Sequence, residues 1–134
     1  MIDTDALRSG CTKKFPSGVY FMASTAFPIA KVGVSSSDMR QRYREHVISL
    51  SRFKSECVPL DALRESFKIV GVAPHLDQSS YALESRLMRK LDALGYQKLP
   101  VGLEWFSVPP SDHGFVLDCL GLIRLEKYQR MYGS

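Results

Sequence analysis

Arg42 and His46 stand four residues apart in the run Arg42-Tyr43-Arg44-Glu45-His46, and a distant glutamate follows in Tyr81-Ala82-Leu83-Glu84. Hydrolysis of a phosphodiester needs an activated water, a stabiliser for the charge that develops on phosphorus, and a proton for the leaving oxygen. A guanidinium grips two phosphate oxygens and stays charged at any working pH, which suits Arg42 to the second task. An imidazole titrates near neutrality, so His46 can move a proton or orient water, and the four-residue spacing puts both side chains on one helix face. A carboxylate edging toward an apolar helix stripe needs a partner. For Glu84 a hard divalent ion, Mg2+ or Mn2+, is one such partner. Each residue has an ordinary reading too. Arg42 can be a surface arginine, His46 a surface or packing histidine, and Glu84 a solvated glutamate paired with Arg86 or Arg89.

The elements that must position these groups follow from pattern. Val19 to Ala23 is rich in apolar, aromatic and β-branched residues and reads as a strand; Ile29 to Val34 reads as a second. Turn residues from Ser24 to Pro28 join them into an antiparallel hairpin. Side chains alternate along a strand, so Tyr20 shares a face with Met22, and Lys31 with Gly33. Ser35, Ser36, Ser37 and Asp38 offer helix N-caps, and a helix is expected from Asp38 to Arg52. Pro59 opens a short second helix through Glu65. Phe67 to Ala73 is a third strand. After Asp77, Ser79 and Ser80 comes a helix with Leu83, Leu87, Leu91 and Leu94 at helical spacing and Gly95 as its C-cap. Glu104 to Val108 is a short strand before Pro109-Pro110. Ser111 or Asp112 caps a last helix running to Met131, apolar around much of its circumference. The expected architecture is of α/β layers, α+β in type: a small three-stranded antiparallel sheet flanked by helices, with an additional C-terminal helix. Residues 1–16 read as an N-terminal arm, 17–110 as the domain, and 111–134 as a helix packed on that domain or on a partner.

The ordered pieces Gly18-Val19-Tyr20, Lys31-Val32-Gly33, Arg42 with His46, and Glu84 resemble the GIY-YIG nuclease superfamily over roughly Ser17 to Val108. Val19 replaces the isoleucine of the first motif. Lys31 stands where the tyrosine of the second motif would be. A phage-associated branch of the superfamily commonly has that lysine together with a helix glutamate and a later Glu-Trp-Phe. Glu84 and Glu104-Trp105-Phe106 supply both here. The resemblance implies a metal-dependent endonuclease acting on nucleic acid, with DNA the expected substrate and Mg2+ or Mn2+ the ion. It implies Tyr20 as general base or water-positioning group, Lys31 as a cation that depresses the phenol or contacts the phosphate, Arg42 and His46 in catalysis, and Glu84 as metal ligand. A phenol has an ordinary pKa of about 10, so such a cation is required. The bland reading of Tyr20 is sheet packing. The rival reading is a catalytically silent nucleic-acid-binding or protein-interaction module, and the lysine in the second motif keeps that rival open.

Composition sets the outer bounds. A chain of 134 residues with 45% apolar residues suits one domain with one core. The net charge of +4 and pI near 9.1 permit a polyanionic partner without requiring one. Its distribution says more. Arg40, Arg42, Arg44, Arg52 and Lys54 cluster in one stretch and Arg86, Arg89 and Lys90 in another, so Arg40, Arg44, Arg86 and Arg89 are candidate phosphate contacts. Cys11, Cys57 and Cys119 are odd in number and scattered. With no ligand spacing to a histidine, they argue against a disulfide frame or zinc site, and reduced thiols in a cytoplasmic setting are expected. Cys57 and Cys119 read as packing residues, Trp105 and Phe106 as core, His75 as a loop residue. No run approaches the ~20 apolar residues of a membrane span, and the acidic start Met1-Ile2-Asp3-Thr4-Asp5 lacks a signal core. A homodimer or a protein partner on the C-terminal helix is the remaining expectation.

Overall fold

The computed structural model describes residues 18–35, 39–73, 80–100 and 105–132. The expected arm, the caps Ser36 to Asp38, His75 and Glu104 lie outside them. The order of elements is β1 (Gly18–Ser24), β2 (Ala30–Ser35), α1 (Met39–Ser49), a 3-10 turn (Leu50–Phe53), α2 (Leu60–Ser66), β3 (Phe67–Ala73), α3 (Ser80–Ala93), β4 (Trp105–Phe106), a second 3-10 turn (Pro110–Asp112), α4 (His113–Leu120), β5 (Ile123–Arg124) and α5 (Leu125–Tyr132).

The fold is α+β. The three expected strands form the centre of a five-stranded antiparallel sheet of order β4-β2-β1-β3-β5, so the expectation of three strands is corrected to five. Of the two outer strands, β4 lies within the expected short strand Glu104 to Val108 and β5 is new; each is only two residues long, below the length at which alternation becomes a signal. Trp105 and Phe106 pair with Lys31 and Ala30 at one edge; Ile123 and Arg124 pair with Val72 and Gly71 at the other.

Strand alternation divides the core in two. Tyr20, Met22, Ile69, Val72 and Trp105 point to one face, where Tyr43, Leu50, Leu63, Leu125 and Tyr128 cover them. Val19, Phe21, Ala23, Val32, Val34 and Phe106 point to the other, beneath Leu87 and Leu91 of α3 and Val116, Leu117 and Leu120 of α4. A bulge in β3 slips the register between Phe21↔Gly71 and Met22↔Ile69, leaving Val70 unmatched. Ile69 and Val72 thereby face the same core although three residues apart.

The single last helix is also corrected. It breaks at Gly121, which takes a left-handed φ of 71°. The Gly121 N–H donates to the Asp118 carbonyl and the Leu122 N–H to the Leu117 carbonyl, the paired reverse bonds of a Schellman ending. The chain then contributes β5 to the sheet before α5 begins. Residues 113–128 thus supply side chains to both cores and do not form a detached appendage. Cys57 is exposed where a packing role was expected; it and the half-buried Cys119 are free thiols.

Candidate functional site

The β1–β2 register places Tyr20 opposite Gly33 and Met22 opposite Lys31, and the β2–β4 register places Lys31 opposite Trp105. Directly opposed residues share a sheet face, so Tyr20, Lys31 and Trp105 all project toward α1. Gly33 is required there. A Cβ at that position would run into the Tyr20 phenol, so only glycine lets the ring lie across β2. This explains in steric terms why a tyrosine in the first strand is answered by a glycine in the second.

Helix α1 brings His46 over this surface. Tyr20 Oη and His46 Nε2 are hydrogen-bonded at 2.9 Å, and the two rings are 5.8 Å apart. With the imidazole proton on Nδ1 the phenol donates to Nε2; with it on Nε2 the phenol accepts. The His46 ring also meets Trp105 edge-to-face, with centroids 5.8 Å apart. On the neighbouring strand, the Lys31 ammonium lies 5.3 Å from the Trp105 ring centroid, within cation–π range. Tyr20 is 2% and Lys31 6% exposed, whereas His46 is only half-buried. Of the three, the histidine is the one with substantial surface open to solvent.

Arg42 lies one turn before His46 on α1, with a half-exposed side chain. Its Nη1 donates to Glu45 Oε2 at 3.2 Å. An exposed pair of this kind is weak, on the order of 0.5 kcal/mol, so a phosphate can displace the carboxylate. Arg44 is fully on the surface and Arg40 partly so. Tyr43, between them, points inward and donates its hydroxyl to the Phe67 carbonyl at 2.7 Å, which anchors α1 to β3.

Glu84 is placed differently. It is half-buried on α3, and its stripe-mates Leu87 and Leu91 belong to the core on the sheet's other face. The sheet therefore stands between the layer of α3 and the layer of Tyr20 and His46. Arg86 and Arg89 are exposed on α3, as Arg42 and Arg44 are on α1. Among the described residues, no three of His, Cys, Asp and Glu gather closely enough to form a metal-ligand set. Magnesium is commonly held by one or two carboxylates together with waters and the substrate's phosphate, so a site with Glu84 as its one protein carboxylate fits that ion.

The residue that sequence reasoning passed over is Trp105. It was read as core, and it is core, at 3% exposure. It is also the surface against which both Lys31 and His46 rest. The expected strand Glu104 to Val108 was a signal for it, but the pairing of that strand with Ala30 and Lys31 is announced by no periodicity. Two further polar groups lie elsewhere. Tyr96 Oη donates to Asp112 Oδ2 at 2.9 Å; desolvation, helped by this carboxylate, pushes its pKa up to about 12. His113 is buried edge-on against Phe21, with its Nε2 unbonded. Burial holds its pKa below the ordinary 6.5, and the Arg124 charge adds to this while Asp112 opposes it.

Compared with known proteins, the chain matches no family model, and no curated protein or solved structure shows significant similarity to it.

Proposed function

We propose that the chain is a divalent-metal-dependent endonuclease that hydrolyses phosphodiester bonds in nucleic acid, with DNA the expected substrate. The observation that carries this reading is the Tyr20–His46 hydrogen bond beside the buried Lys31, one helical turn from Arg42. His46, the solvent-facing member, accepts a proton from water through the nitrogen not engaged by Tyr20, and the phenol fixes the ring and its tautomer. Arg42 leaves Glu45 to hold the phosphate oxygens as charge develops. Lys31 supplies fixed positive charge beneath the pair. Arg40 and Arg44 contact neighbouring phosphates, as Arg86 and Arg89 do from the other layer. Glu84 is the residue that would hold Mg2+ or Mn2+, an ion that supplies Lewis-acid stabilisation of the leaving oxygen.

A second reading is favoured by two particular observations. Tyr20 and Lys31 are nearly inaccessible, and the helix that carries Glu84 packs through Leu87 and Leu91 on the opposite face of the sheet. A silent module of this fold would bind nucleic acid through the exposed arginines of α1 without turnover. Conversion of supercoiled plasmid, followed with Mg2+, with Mn2+ and with EDTA, separates the two. The nuclease reading expects metal-dependent nicking that is lost in Glu84→Ala and reduced at least about 100-fold in His46→Ala, the usual scale of a general base. Salt-sensitive binding with no nicking under any condition would overturn it in favour of the silent module.

A further inference from the structure

We propose that Trp105 is the positioning residue of this site. Its indole holds the Lys31 ammonium on one side and the His46 ring on another, and so fixes the distance between the buried cation and the Tyr20–His46 pair. The inference rests on the phosphodiesterase reading for its catalytic consequence, and on geometry alone for the positioning itself.

Three observations point the same way. The first is register. Trp105 is the direct cross-strand partner of Lys31, so the strand ladder presents the indole to the lysine stem before any side chain chooses a rotamer. The second is contact. The ammonium is 5.3 Å from the indole centroid and the imidazole 5.8 Å from it at 82°, an edge-to-face approach. An indole face is negative and its edge positive, so one ring offers attraction to a cation and a defined orientation to a neighbouring ring. The third is rigidity. Phe53 at 5.0 Å and Phe67 at 5.8 Å pack against the same indole, and with 3% exposure it has no room to turn. A side chain pinned in this way serves as a fixed platform for less constrained ones. His46, on a half-exposed helix position, needs such a platform if its Nε2 is to stay on Tyr20 Oη. A mere core filler would pack equally well against aliphatic neighbours; here two of the four contacts are to titratable groups that belong to the candidate site.

The chain has a single tryptophan, so its fluorescence reports on this position alone. A protonated imidazole quenches indole emission on contact, whereas a neutral one does so weakly. Emission from the wild-type chain is therefore expected to fall as pH is lowered through the titration of His46, and His46→Gln is expected to abolish that transition. Lys31→Met is expected to shift the emission maximum, because it removes the charge beside the ring. Plasmid cleavage by Trp105→Phe and Trp105→Leu completes the test. Phenylalanine keeps an aromatic face and should retain most of kcat, while leucine should lower kcat by about tenfold with KM unchanged, the scale of a desolvated cation–π contact. An emission profile that is the same in wild type and His46→Gln overturns the positioning geometry. Leucine cleaving as well as wild type, in a folded protein with unchanged circular dichroism, overturns the catalytic consequence. A wild-type chain that nicks nothing sinks the phosphodiesterase reading, while the emission arm still decides whether Trp105 holds His46 and Lys31.

Discussion

The two faces of the sheet bury polar groups in opposite ways. On the Tyr20 face, Tyr20 meets His46, Lys31 lies over Trp105, and Tyr43 bonds the Phe67 carbonyl. On the Phe21 face, the packing is largely aliphatic, and among the described residues His113 is buried there with Nε2 lacking a hydrogen bond. A buried polar group without a partner costs about 1–3 kcal/mol. The first face has arranged partners for a cluster of such groups; the second, among the described residues, carries the unbonded Nε2 of His113. On the nuclease reading proposed above, the first face is the one whose buried polar groups serve catalysis.

Adjacent residues of β1 give the sharpest way to break this contrast. Phe21→Ala should cost about 3–5 kcal/mol in urea unfolding, because it empties the centre of the aliphatic core. Tyr20→Phe, one residue away and on the other face, should cost only about 1 kcal/mol while lowering cleavage by at least about 100-fold. Equal stability losses with cleavage untouched in Tyr20→Phe would erase the distinction between the faces. Next in size is Gly33→Ala. The added methyl displaces the phenol, so we expect a loss of about 1–3 kcal/mol together with a loss of cleavage, read by denaturation and nicking on the same sample.

The orphan on the second face gives a smaller and opposite effect. His113→Leu should raise stability by about 1 kcal/mol, since it replaces an unbonded buried nitrogen with carbon. The wild-type chain should also show a pH signature that the variant lacks. The folded-state pKa lies below the unfolded 6.5, so below that pH the unfolded chain takes up a proton that the folded one refuses. Stability is full above 6.5 and declines as pH falls from there to the folded value. Tyr96 acts at the other limit. Its folded pKa of about 12 exceeds the ordinary 10.0, so stability is full below 10 and declines as pH rises toward 12. Melting temperature across pH reads both limbs; a flat acid limb in wild type would contradict the account of His113. Gly121→Ala should cost a similar amount, about 1 kcal/mol, with no effect on cleavage, from forcing a Cβ into the left-handed region.

That last position also shows where sequence reading succeeds and fails. Gly95 and Gly121 end α3 and α4 with the same pair of reverse hydrogen bonds, and only Gly95 was read as a helix end. Leucines precede and follow Gly121, so the apolar pattern ran through it and concealed both the break and β5. The three central strands were legible because Val19–Ala23, Ile29–Val34 and Phe67–Ala73 are long enough to show their composition. Of the edges, β4 was legible as part of Glu104 to Val108, and β5 was not, because a two-residue strand is fixed by what it pairs with. Within the candidate site, Arg42 and His46 were placed on one helix by spacing, and Tyr20 with Lys31 by the hairpin. That the apolar stripe of α3 packs on the face opposite Tyr20 was not legible, since helix periodicity says which side of a helix is apolar and nothing of which face of the sheet receives it.

Both outer strands of the sheet come from the last third of the sequence. Until residues 105–106 and 123–124 have left the ribosome, β2 and β3 stand with a row of unpaired backbone donors and acceptors each, on a sheet whose interior is already apolar on both sides. Such rows are templates for pairing with other chains. A nascent or prematurely terminated chain accordingly leaves open the edge at Ala30 and Lys31 and the edge at Gly71 and Val72, which the finished chain pairs, until the penultimate element has emerged.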